Sequence, residues 1–412
     1  MEGLGCPMQS SGQTRRLAYR GIILLGAVSL FGDIVYEGGR GLIPDYLYAL
    51  GATALVMGLV SGTGEFMGYA VRLVSGELAD RTRRYWGLMV LGYSLIVCIP
   101  LLAISYSWAS AAALVVLERI GKGLRTPSRD SVLSMVSSGV GPGKAFGIHE
   151  FLDQIGAIAG PAMVALLMLY SSNNYQLTFA VLFIPFLALV AVLWYTRRSL
   201  SPGSLFQPTR GIRDETTDAT ARLKGPFYVY TLAVALNTVG LIPAALILYR
   251  ASVLFQTAGQ MWMVPVIYVM IQGIDAVIAP FAGSAFDRLG VRTLFVPFAI
   301  SVLPPLIMWI EPDVTGVVLA AITFGIVLGM QESTYRAAIA LYAPLEQRGR
   351  AYGMFNTSYG IAALGAGAIF GMFIDTAVSI GTVLIFVLSL QLLAVLLLRK
   401  TAGQSRSAQV SE

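Results

Sequence analysis

Charged residues are scarce in this sequence. Asp, Glu, Lys and Arg make up only 12% of its 412 residues, whereas hydrophobic residues make up 56%. A soluble domain carries about 25% charged residues, and a water-soluble fold could not hide this much apolar surface. The composition and the long apolar runs therefore predict an all-α integral membrane protein surrounded by the lipid bilayer. The length suits about twelve spans of roughly 20–25 residues with short connections.

Cysteine and histidine are nearly absent. Cys6 lies in a polar tail, Cys98 lies in an apolar run, and His149 is the only histidine, so we expect neither a disulfide framework nor a metal site. The sequence also lacks G-x-S-x-G, H-E-x-x-H and Walker motifs, which predicts no enzyme activity, no cofactor and no ATP hydrolysis by this chain. The net charge of +6 is scattered over many short loops, which argues against nucleic acid as a partner.

Twelve apolar runs follow one another along the chain. The longest polar stretch, Arg197 to Lys224, is rich in Ser, Pro, Thr and charge and separates six runs from six. The predicted spans are 19–49, 53–79, 86–106, 109–134, 144–170, 176–197, 226–254, 260–287, 292–310, 315–340, 349–376 and 378–398. The predicted segments are a cytoplasmic tail (1–18), a six-helix bundle (19–197), a cytoplasmic linker (198–224), a second six-helix bundle (225–398) and a cytoplasmic tail (399–412).

Basic residues indicate the orientation in the membrane. The loops near residues 50, 107, 173, 257, 312 and 377 have almost no Lys or Arg. Because cytoplasmic loops carry an excess of these residues, both termini are predicted to be cytoplasmic. The basic residues on that side are Arg15, Arg16, Arg20, Arg81, Arg83, Arg84, Lys144, Arg197, Arg198, Arg210, Arg213, Arg222, Lys224, Arg288, Arg292, Arg348, Arg350, Arg399 and Lys400.

Two short segments recur at half the chain length. Gly76-Glu-Leu-Ala-Asp80-Arg81 matches Gly283-Ser-Ala-Phe-Asp287-Arg288, 207 residues later. Lys144-Ala-Phe-Gly147 matches Arg350-Ala-Tyr-Gly353, 206 residues later. Two parallel halves with a site between them at the middle of the bilayer are typical of secondary transporters. The repeat therefore predicts two pseudo-symmetric six-helix bundles.

These repeated loops resemble the signature of the major facilitator superfamily, G-x-L-x-D-R-x-G-R-[KR], between spans two and three. Gly76, Asp80, Arg81 and Arg84 match it, but Arg83 stands where the pattern has Gly. The second copy keeps that Gly, and its matching residues are Gly283, Asp287, Arg288, Gly290 and Arg292. The resemblance covers about residues 20 to 400 and implies a twelve-helix transporter that works by alternating access, with the two motif copies acting as a lock at the cytoplasmic ends.

The fourth span is similar to a poorly characterised prokaryotic branch of that superfamily. The motif runs from Arg119 to Asp130 and contains Gly121-Lys122-Gly123-Leu-Arg125-Thr-Pro127-Ser-Arg129. Members of the branch are usually regarded as exporters. The resemblance thus implies export across the plasma membrane of a prokaryotic cell. Nothing in the sequence demands more than a monomer.

Ionisable residues inside the spans are the candidate site. A charge in the middle of a membrane costs roughly 2.5–3.5 kcal/mol, so it normally faces a partner or a water-filled cavity. Steps of three and four residues place several of them on shared helix faces. The residues predicted to line a substrate cavity or couple protons are Asp33, Glu37, Arg40, Glu65, Arg72, Glu150, Asp153, Asp275, Glu332 and Arg336.

Span four carries a further stripe of charge, consisting of Glu118, Arg119, Lys122, Arg125 and Arg129. For this stripe and for the pair Glu332 and Arg336, structural ion pairs between helices are the favoured interpretation. For Asp33 and Glu37 a functional role is favoured, because two close carboxylates can share a proton. His149 is expected to be a packed residue near the cytoplasmic end.

The favoured function is proton-coupled efflux of a small amphipathic or cationic solute, with Asp33 or Glu37 carrying the proton. An alternative is a proton-coupled or facilitative transporter of an organic anion, a sugar or a metal ion. It rests on the membrane-embedded bases Arg40, Arg72, Arg119, Lys122, Arg250 and Arg336, which could bind a carboxylate or a phosphate. A third hypothesis is a membrane scaffold or sensor that transports nothing. The expected partners are the lipid bilayer, a small-molecule substrate and protons.

Overall fold

A computed structural model describes residues 10–137, 140–200, 223, 225–344 and 347–410. The predicted linker and the extreme termini lie largely outside these described residues. The described part is all-helical, and we refer to residues 10–200 as the first half and residues 225–410 as the second half. The helices are α1 (Ser10–Ala49), α2 (Ala54–Thr82), α3 (Tyr85–Ser94), α4 (Trp108–Val136), α5 (Pro142–Tyr170), α6 (Tyr175–Val181), α7 (Phe183–Leu200), α8 (Gly225–Val239), α9 (Ala244–Thr257), α10 (Met263–Leu289), α11 (Phe295–Ile300), α12 (Leu303–Ile310), α13 (Val314–Tyr342), α14 (Arg348–Asp375) and α15 (Ile380–Val410).

Each predicted span coincides with one or more of these helices, but four spans are interrupted. The span at 86–106 consists of α3 followed by 3₁₀ turns over Leu95–Cys98 and Pro100–Ile104, and the span at 226–254 is split between α8 and α9 before Pro243. The spans at 176–197 and 292–310 are likewise built from shorter pieces. Proline lacks a backbone N–H and clashes with the preceding turn, which explains the breaks at Pro100 and Pro243.

Helices with the length and apolar composition of membrane spans number ten among the described residues. Helix α4 does not qualify because its six ionisable residues leave no sufficiently uncharged window. One qualifying stretch, Met263–Ile310, covers two predicted spans, 260–287 and 292–310. The multi-pass membrane character follows from these helices. The count of twelve, the two bundles and the segment boundaries stay predictions.

Helix positions repeat at the spacing of the sequence motifs. Helix α4 begins at Trp108 and α13 at Val314, an offset of 206 residues, and α2 ends at Thr82 while α10 ends at Leu289, an offset of 207. Contacts repeat as well, because α2 packs on α4 as α10 packs on α13. The repeat seen in the loops therefore extends to the helices around them.

Five pairs of helices join the halves: α2 with α14, α5 with α10, α1 with α9, α1 with α10 and α2 with α9. The first seam depends on glycine. A Cβ atom added to Gly58 would lie 1.9 Å from the carbonyl oxygen of Gly367, and one added to Gly367 would lie 2.2 Å from that of Gly58. Small residues let helix backbones approach this closely. The walls of the space between the halves are thus held by backbone packing along α2 and α14.

Candidate functional site

A cavity of about 1100 Å³ lies between the two halves. All ten residues predicted for the cavity line its wall: Asp33, Glu37, Arg40, Glu65, Arg72, Glu150, Asp153, Asp275, Glu332 and Arg336. From α4, the cavity is also lined by Arg119, Lys122, Arg125, Arg129 and Asp130. The wall therefore carries eight acidic and seven basic side chains. Whether they couple protons or bind a solute stays a prediction.

The cavity is open at one end only. Its lining residues Glu150, Glu332 and Arg336, near the end at which α5 begins and α13 ends, are exposed. At the opposite end, Ile43 and Ile242 are buried. We call that closed end the far side, because it carries the loops near residues 50, 173, 259 and 376, away from the chain termini. The sequence analysis predicts the far side to be outside the cell.

Four charged side chains form a connected group on the first-half wall. Arg40 donates a hydrogen bond of 2.8 Å to Oε1 of Glu65 and lies 3.7 Å from Oε1 of Glu37. Arg119 approaches the same Glu65 oxygen at 3.4 Å. Glu65 thus accepts two guanidinium groups, which holds α1, α2 and α4 together beside the cavity. Charge-assisted hydrogen bonds of this kind are about twice as strong as neutral ones.

One buried hydrogen bond joins the two halves at the cavity wall. The hydroxyl of Tyr268 on α10 donates to Oε2 of Glu37 on α1 at 2.5 Å, and both side chains are buried. It joins the second half to the ion-paired centre of the first half. The sequence analysis did not identify this bond, because it depends on how the two halves pack together.

Four acidic side chains on the wall form no ion pair within the described residues: Asp33, Glu150, Asp275 and Glu332. Asp33 interacts with the neighbouring carboxylate of Asp153. Asp275 is 2% exposed and lies beside Gln154. The Oδ1 atom of Asp275 is buried without a hydrogen bond. Glu332 and Arg336 are four residues apart but do not form an ion pair. These acids are free to hold protons or to face a cationic solute.

Three basic side chains on the wall also lack a carboxylate partner in the described chain: Arg72, Lys122 and Arg336. The guanidinium of Arg72 lies 5.4 Å from the ring centre of Tyr69, and its Nε atom is buried without a hydrogen bond. Tyr69 in turn packs edge-on against Tyr359 of α14 at 5.6 Å. Bases held over aromatic rings gain a cation–π attraction but stay available to an anion.

The charge stripe on α4 divides into a packed part and a cavity part. Arg125 donates to Oε1 of Glu118 at 3.1 Å, both residues are buried, and Glu118 does not line the cavity. Arg119 and Lys122 both donate to the hydroxyl of Tyr36, the latter at 3.2 Å. The ring of Tyr36 also lies 4.3 Å from Nζ of Lys122. The sequence analysis did not identify Tyr36 as a residue that organises these cations.

A polar network lies where the cavity opens. Arg129 pairs with Asp130 at 2.9 Å, lies 4.0 Å from Asp153 and donates to Ser29 at 3.2 Å. Ser29 is also within 2.9 Å of Nε2 of His149, which is 3% exposed. His149 is therefore buried and hydrogen-bonded. Through Ser29 it supports the arginine that faces Asp153.

Several hydrogen bonds join the halves at the far side. The carboxylate of Asp375, at the end of α14, accepts from the backbone N–H groups of Ala54 and Leu55 at 2.9 Å each. Asn173 donates to the carbonyl of Gly259 at 3.0 Å and accepts from the backbone N–H of Trp262 at 3.2 Å. An acid at the N-terminus of a helix such as α2 is also favoured by the helix dipole. These contacts close the far side.

The two copies of the loop motif lie at the other side and are exposed. Arg81 pairs with Glu77, and Asp80 accepts a hydrogen bond of 3.2 Å from Tyr85. Among the described residues, ion pairs include neither Asp80 nor Asp287. Gly76, Arg84, Gly283, Arg288 and Arg292 lie at the same helix ends. The predicted lock role of these residues stays a prediction.

Two further acids were missed by sequence reasoning. Asp45 is 1% exposed near the far-side end of α1, and Asp375 forms the link to α2 described above. Asp45 lies eight residues after Glu37 within an otherwise apolar run, which is a signal that could have identified it. The partners of Asp375 are more than 300 residues away, and no local pattern could have revealed them.

Comparisons with known proteins agree with this geometry. The model of the Major Facilitator Superfamily matches residues 25–366. An uncharacterized protein of Mycobacterium tuberculosis is 37% identical over 383 residues, which is 92% of each chain. An uncharacterized MFS-type transporter of Methanocaldococcus jannaschii is 32% identical over 199 residues, 48% of this chain and 50% of that protein. The fold and the cavity are those of a membrane transporter. The chain belongs to the major facilitator superfamily.

Solved structures show the same fold at low sequence identity. A peptide transporter POT has a TM-score of 0.74 at 14% identity and covers 94% of this chain and 95% of its own. The nucleoside transporter NupG has a TM-score of 0.71 at 13% identity over 93% and 99%. A bacterial homolog of the lysosomal transporter Spinster, in an inward-facing and unoccupied conformation, has a TM-score of 0.69 at 13% identity over 94% and 98%. This resemblance concerns the fold.

Proposed function

We propose that this transporter is a proton-coupled exporter of a small amphipathic or cationic solute that works by alternating access. The observation that carries the proposal is the set of four cavity carboxylates without an ion pair, Asp33, Glu150, Asp275 and Glu332. Asp275 is 2% exposed and Asp33 is half-buried, and an unpaired carboxylate in that setting needs a proton or a cationic ligand because an isolated buried charge is costly. Glu150 and Glu332 lie at the open end of the cavity, where they face entering solutes and water. Protons and a cationic solute would then occupy the same sites in turn.

Asp33 is the better of the two proton carriers considered from the sequence. Glu37 is already engaged by Arg40 and by the hydroxyl of Tyr268. Asp33 forms no ion pair among the described residues; it interacts with the carboxylate of Asp153 and more weakly with Lys122. Two carboxylates that interact in this way titrate as a pair and hold one proton more readily than two negative charges.

The arrangement of the cavity supports alternating access. With the predicted orientation, a closed far side and an open opposite end make this the inward-open state, ready to receive a solute from the cytoplasm. The exposed motif residues Asp80 and Asp287 lie at the open end. We propose that they form their lock in the opposite state, when the cytoplasmic ends of the halves meet. Twelve spans, cytoplasmic termini, a plasma-membrane location and a monomeric state complete the proposal.

A second candidate is transport of an organic anion, because Arg72, Lys122 and Arg336 also lack a carboxylate partner in the described chain. A fixed guanidinium recognises carboxylate or phosphate with two hydrogen bonds. Metal transport has less support, since no group of three or more metal-binding side chains is found among the described residues.

Proton flux in proteoliposomes distinguishes the candidates. The internal pH is followed with a trapped dye while tetraethylammonium, ethidium, citrate, glucose or manganese is added outside. We expect a cation to drive protons in the opposite direction and Asp33→Asn to abolish this exchange. Glu311→Gln, which changes an exposed acid that does not line the cavity, serves as the control and is expected to exchange normally. If protons instead move in the same direction as citrate, the result would favour transport of an organic anion over export of a cationic solute. An Asp33→Asn variant with normal exchange would remove Asp33 from coupling.

A further inference from the structure

Asp45 is a carboxylic acid buried outside the cavity. It lies near the far-side end of α1 and is 1% exposed. Its neighbours along the helix, Ile43 and Pro44, line the cavity, but Asp45 does not. The cavity mechanism proposed above gives Asp45 no role, although burying such a group without a purpose is expensive.

One oxygen of Asp45 has a clear partner and the other does not. The hydroxyl of Tyr175 on α6 donates to Oδ2 at 2.8 Å, whereas Oδ1 is buried without a hydrogen bond. The side chain of Ser252 on α9 faces Asp45 from the second half and is fully buried. The single hydroxyl proton of Ser252 is already donated to the carbonyl of Leu248 at 2.9 Å. With its proton donated to Leu248, the oxygen of Ser252 can accept a hydrogen bond from a protonated Asp45.

In the part of the chain that the structure describes, no cation forms an ion pair with Asp45. The titratable groups around it are tyrosines: Tyr175, which donates to it, and on α1 Tyr46, which donates to the carbonyl of Leu102 at 3.2 Å. On α9, Tyr249 donates to the carbonyl of Ala52 at 3.2 Å, and Arg250 donates to the carbonyl of Pro312 at 2.8 Å. A charged carboxylate left unpaired in this setting would be strongly destabilising.

We infer that Asp45 is a proton-binding site on the far side and that its bound proton helps to close the transporter. The proton resides on Oδ1, and this O–H group donates to the oxygen of Ser252. Oδ2 accepts from Tyr175. The protonated acid thus links α6 and α1 of the first half to α9 of the second half, alongside the bonds made by Asp375 and Asn173. The inference rests on the proposed alternating access.

Opening of the far side separates α1 from α9 and admits water to Asp45. The O–H bond of the acid then breaks, the proton passes to far-side water, and the carboxylate remains on α1. Closure requires the reverse step, uptake of one proton from the same water. The proton of Asp45 therefore exchanges only with the far side, whereas the cavity acids are accessible from the opposite side in this structure. Acid outside the cell is expected to favour the closed far side.

Distance measurements between spin labels test this directly and need no substrate. Labels at Tyr170→Cys and Gln256→Cys, exposed far-side positions in the two halves, are placed in a chain with Cys6 and Cys98 replaced by serine. In nanodiscs we expect the ratio of closed to open far sides to fall roughly tenfold or more between pH 5 and pH 9, as expected when a buried acid loses its donor hydrogen and gains a charge.

Three variants separate this site from other causes. Asp45→Asn retains one donor and one acceptor, so it should stay closed and lose the pH dependence. Ser252→Ala removes the acceptor and should shift the ratio toward open at low pH. Asn173→Ala breaks a far-side link that does not titrate, so it should be more open at every pH but keep the pH dependence. The inference is overturned if the unmodified site shows no pH dependence, or if Asp45→Asn keeps it.

The cavity variant Asp33→Asn distinguishes this inference from the proposed function. If Asp45 carries the effect, Asp33→Asn retains the pH-dependent far-side distance even when its proton exchange in proteoliposomes is lost. If Asp33→Asn abolishes the pH-dependent distance and Asp45→Asn does not, the cavity alone senses pH. That result refutes the role of Asp45 and leaves the proposed exporter standing.

Discussion

The buried pair of Glu118 and Arg125 makes a quantitative prediction about the charge stripe on α4. Their side chains are 1% and 6% exposed, and the ion pair measures 3.1 Å. The Glu118→Gln change leaves a guanidinium in the membrane interior without its counter-charge. Arg125 then keeps neutral partners: the amide oxygen of the new glutamine, the carbonyl of Gly92 at 3.5 Å, and the rings of Tyr93 and Tyr36, whose centres are 5.4 and 5.7 Å away. Breaking a buried pair from one side costs about 3–5 kcal/mol.

The double change Glu118→Leu with Arg125→Met should cost far less, because it removes both charges and keeps apolar volume. Replacement of a whole buried pair by apolar residues is often neutral. The control is Glu77→Gln, which breaks the ion pair between Glu77 and Arg81. Both side chains are exposed, Glu77 by 64% and Arg81 by 76%. Exposed pairs contribute about 0–1 kcal/mol.

Thermal unfolding of the purified protein in detergent, followed by tryptophan fluorescence, measures the three variants. We expect Glu118→Gln to lower Tm by several degrees and the other two variants to stay close to the unmodified protein. Equal losses for Glu118→Gln and Glu77→Gln would refute the reasoning, because burial would then make no difference. A double variant that unfolds as early as the single one would show that the loss comes from packing rather than from an unpaired charge.

Three other changes give simple expectations. Arg83, at the end of α2, has a φ of 53°, and the second copy of the motif has Gly290 at this position. The left-handed conformation costs a non-glycine residue about 1–2 kcal/mol, so Arg83→Gly should raise Tm. An unchanged Tm would contradict this. Gly367→Val should separate α2 from α14 and lower both Tm and transport. Its control is Gly273→Ala, which should leave both unchanged because a Cβ atom added at Gly273 meets no atom within 4 Å. Asp375→Ala should increase far-side opening at every pH, measured with the labels at Tyr170 and Gln256, and an unchanged distance would show that the bonds to α2 do not hold the far side.

Local spacing explains why the residues of the cavity wall could be predicted. Asp33, Glu37 and Arg40 follow one another in steps of four and three, so they share one face of the helix. An ionisable group in an apolar span normally faces a water-filled cavity or a polar partner. The structure places all three on the wall. The same spacing cannot distinguish a residue in a structural ion pair from a residue of the cavity. Glu118 belongs to the stripe on α4 but pairs with Arg125 and does not line the cavity.

Partners distant in sequence could not be predicted. Tyr268 bonds to Glu37 across 231 residues, and Asp375 bonds to Ala54 across 321. Both contacts depend on how the halves meet, and no period in the sequence encodes that. The interrupted spans have a similar explanation, because hydropathy measures the apolar character of a run but not whether its backbone stays α-helical through a proline such as Pro243.

The bond between Tyr268 and Glu37 has a consequence for how an unloaded transporter behaves. Both residues line the cavity, so a cationic solute that binds Oε2 of Glu37 must displace the tyrosine hydroxyl. Binding then becomes an exchange of one contact for another, and the measured affinity is the difference between the two. The same exchange cuts a link between the halves. In the proposed cycle, a bound solute therefore removes one link between the two halves, whereas the empty transporter keeps it. This difference would limit conformational cycling in the absence of a solute.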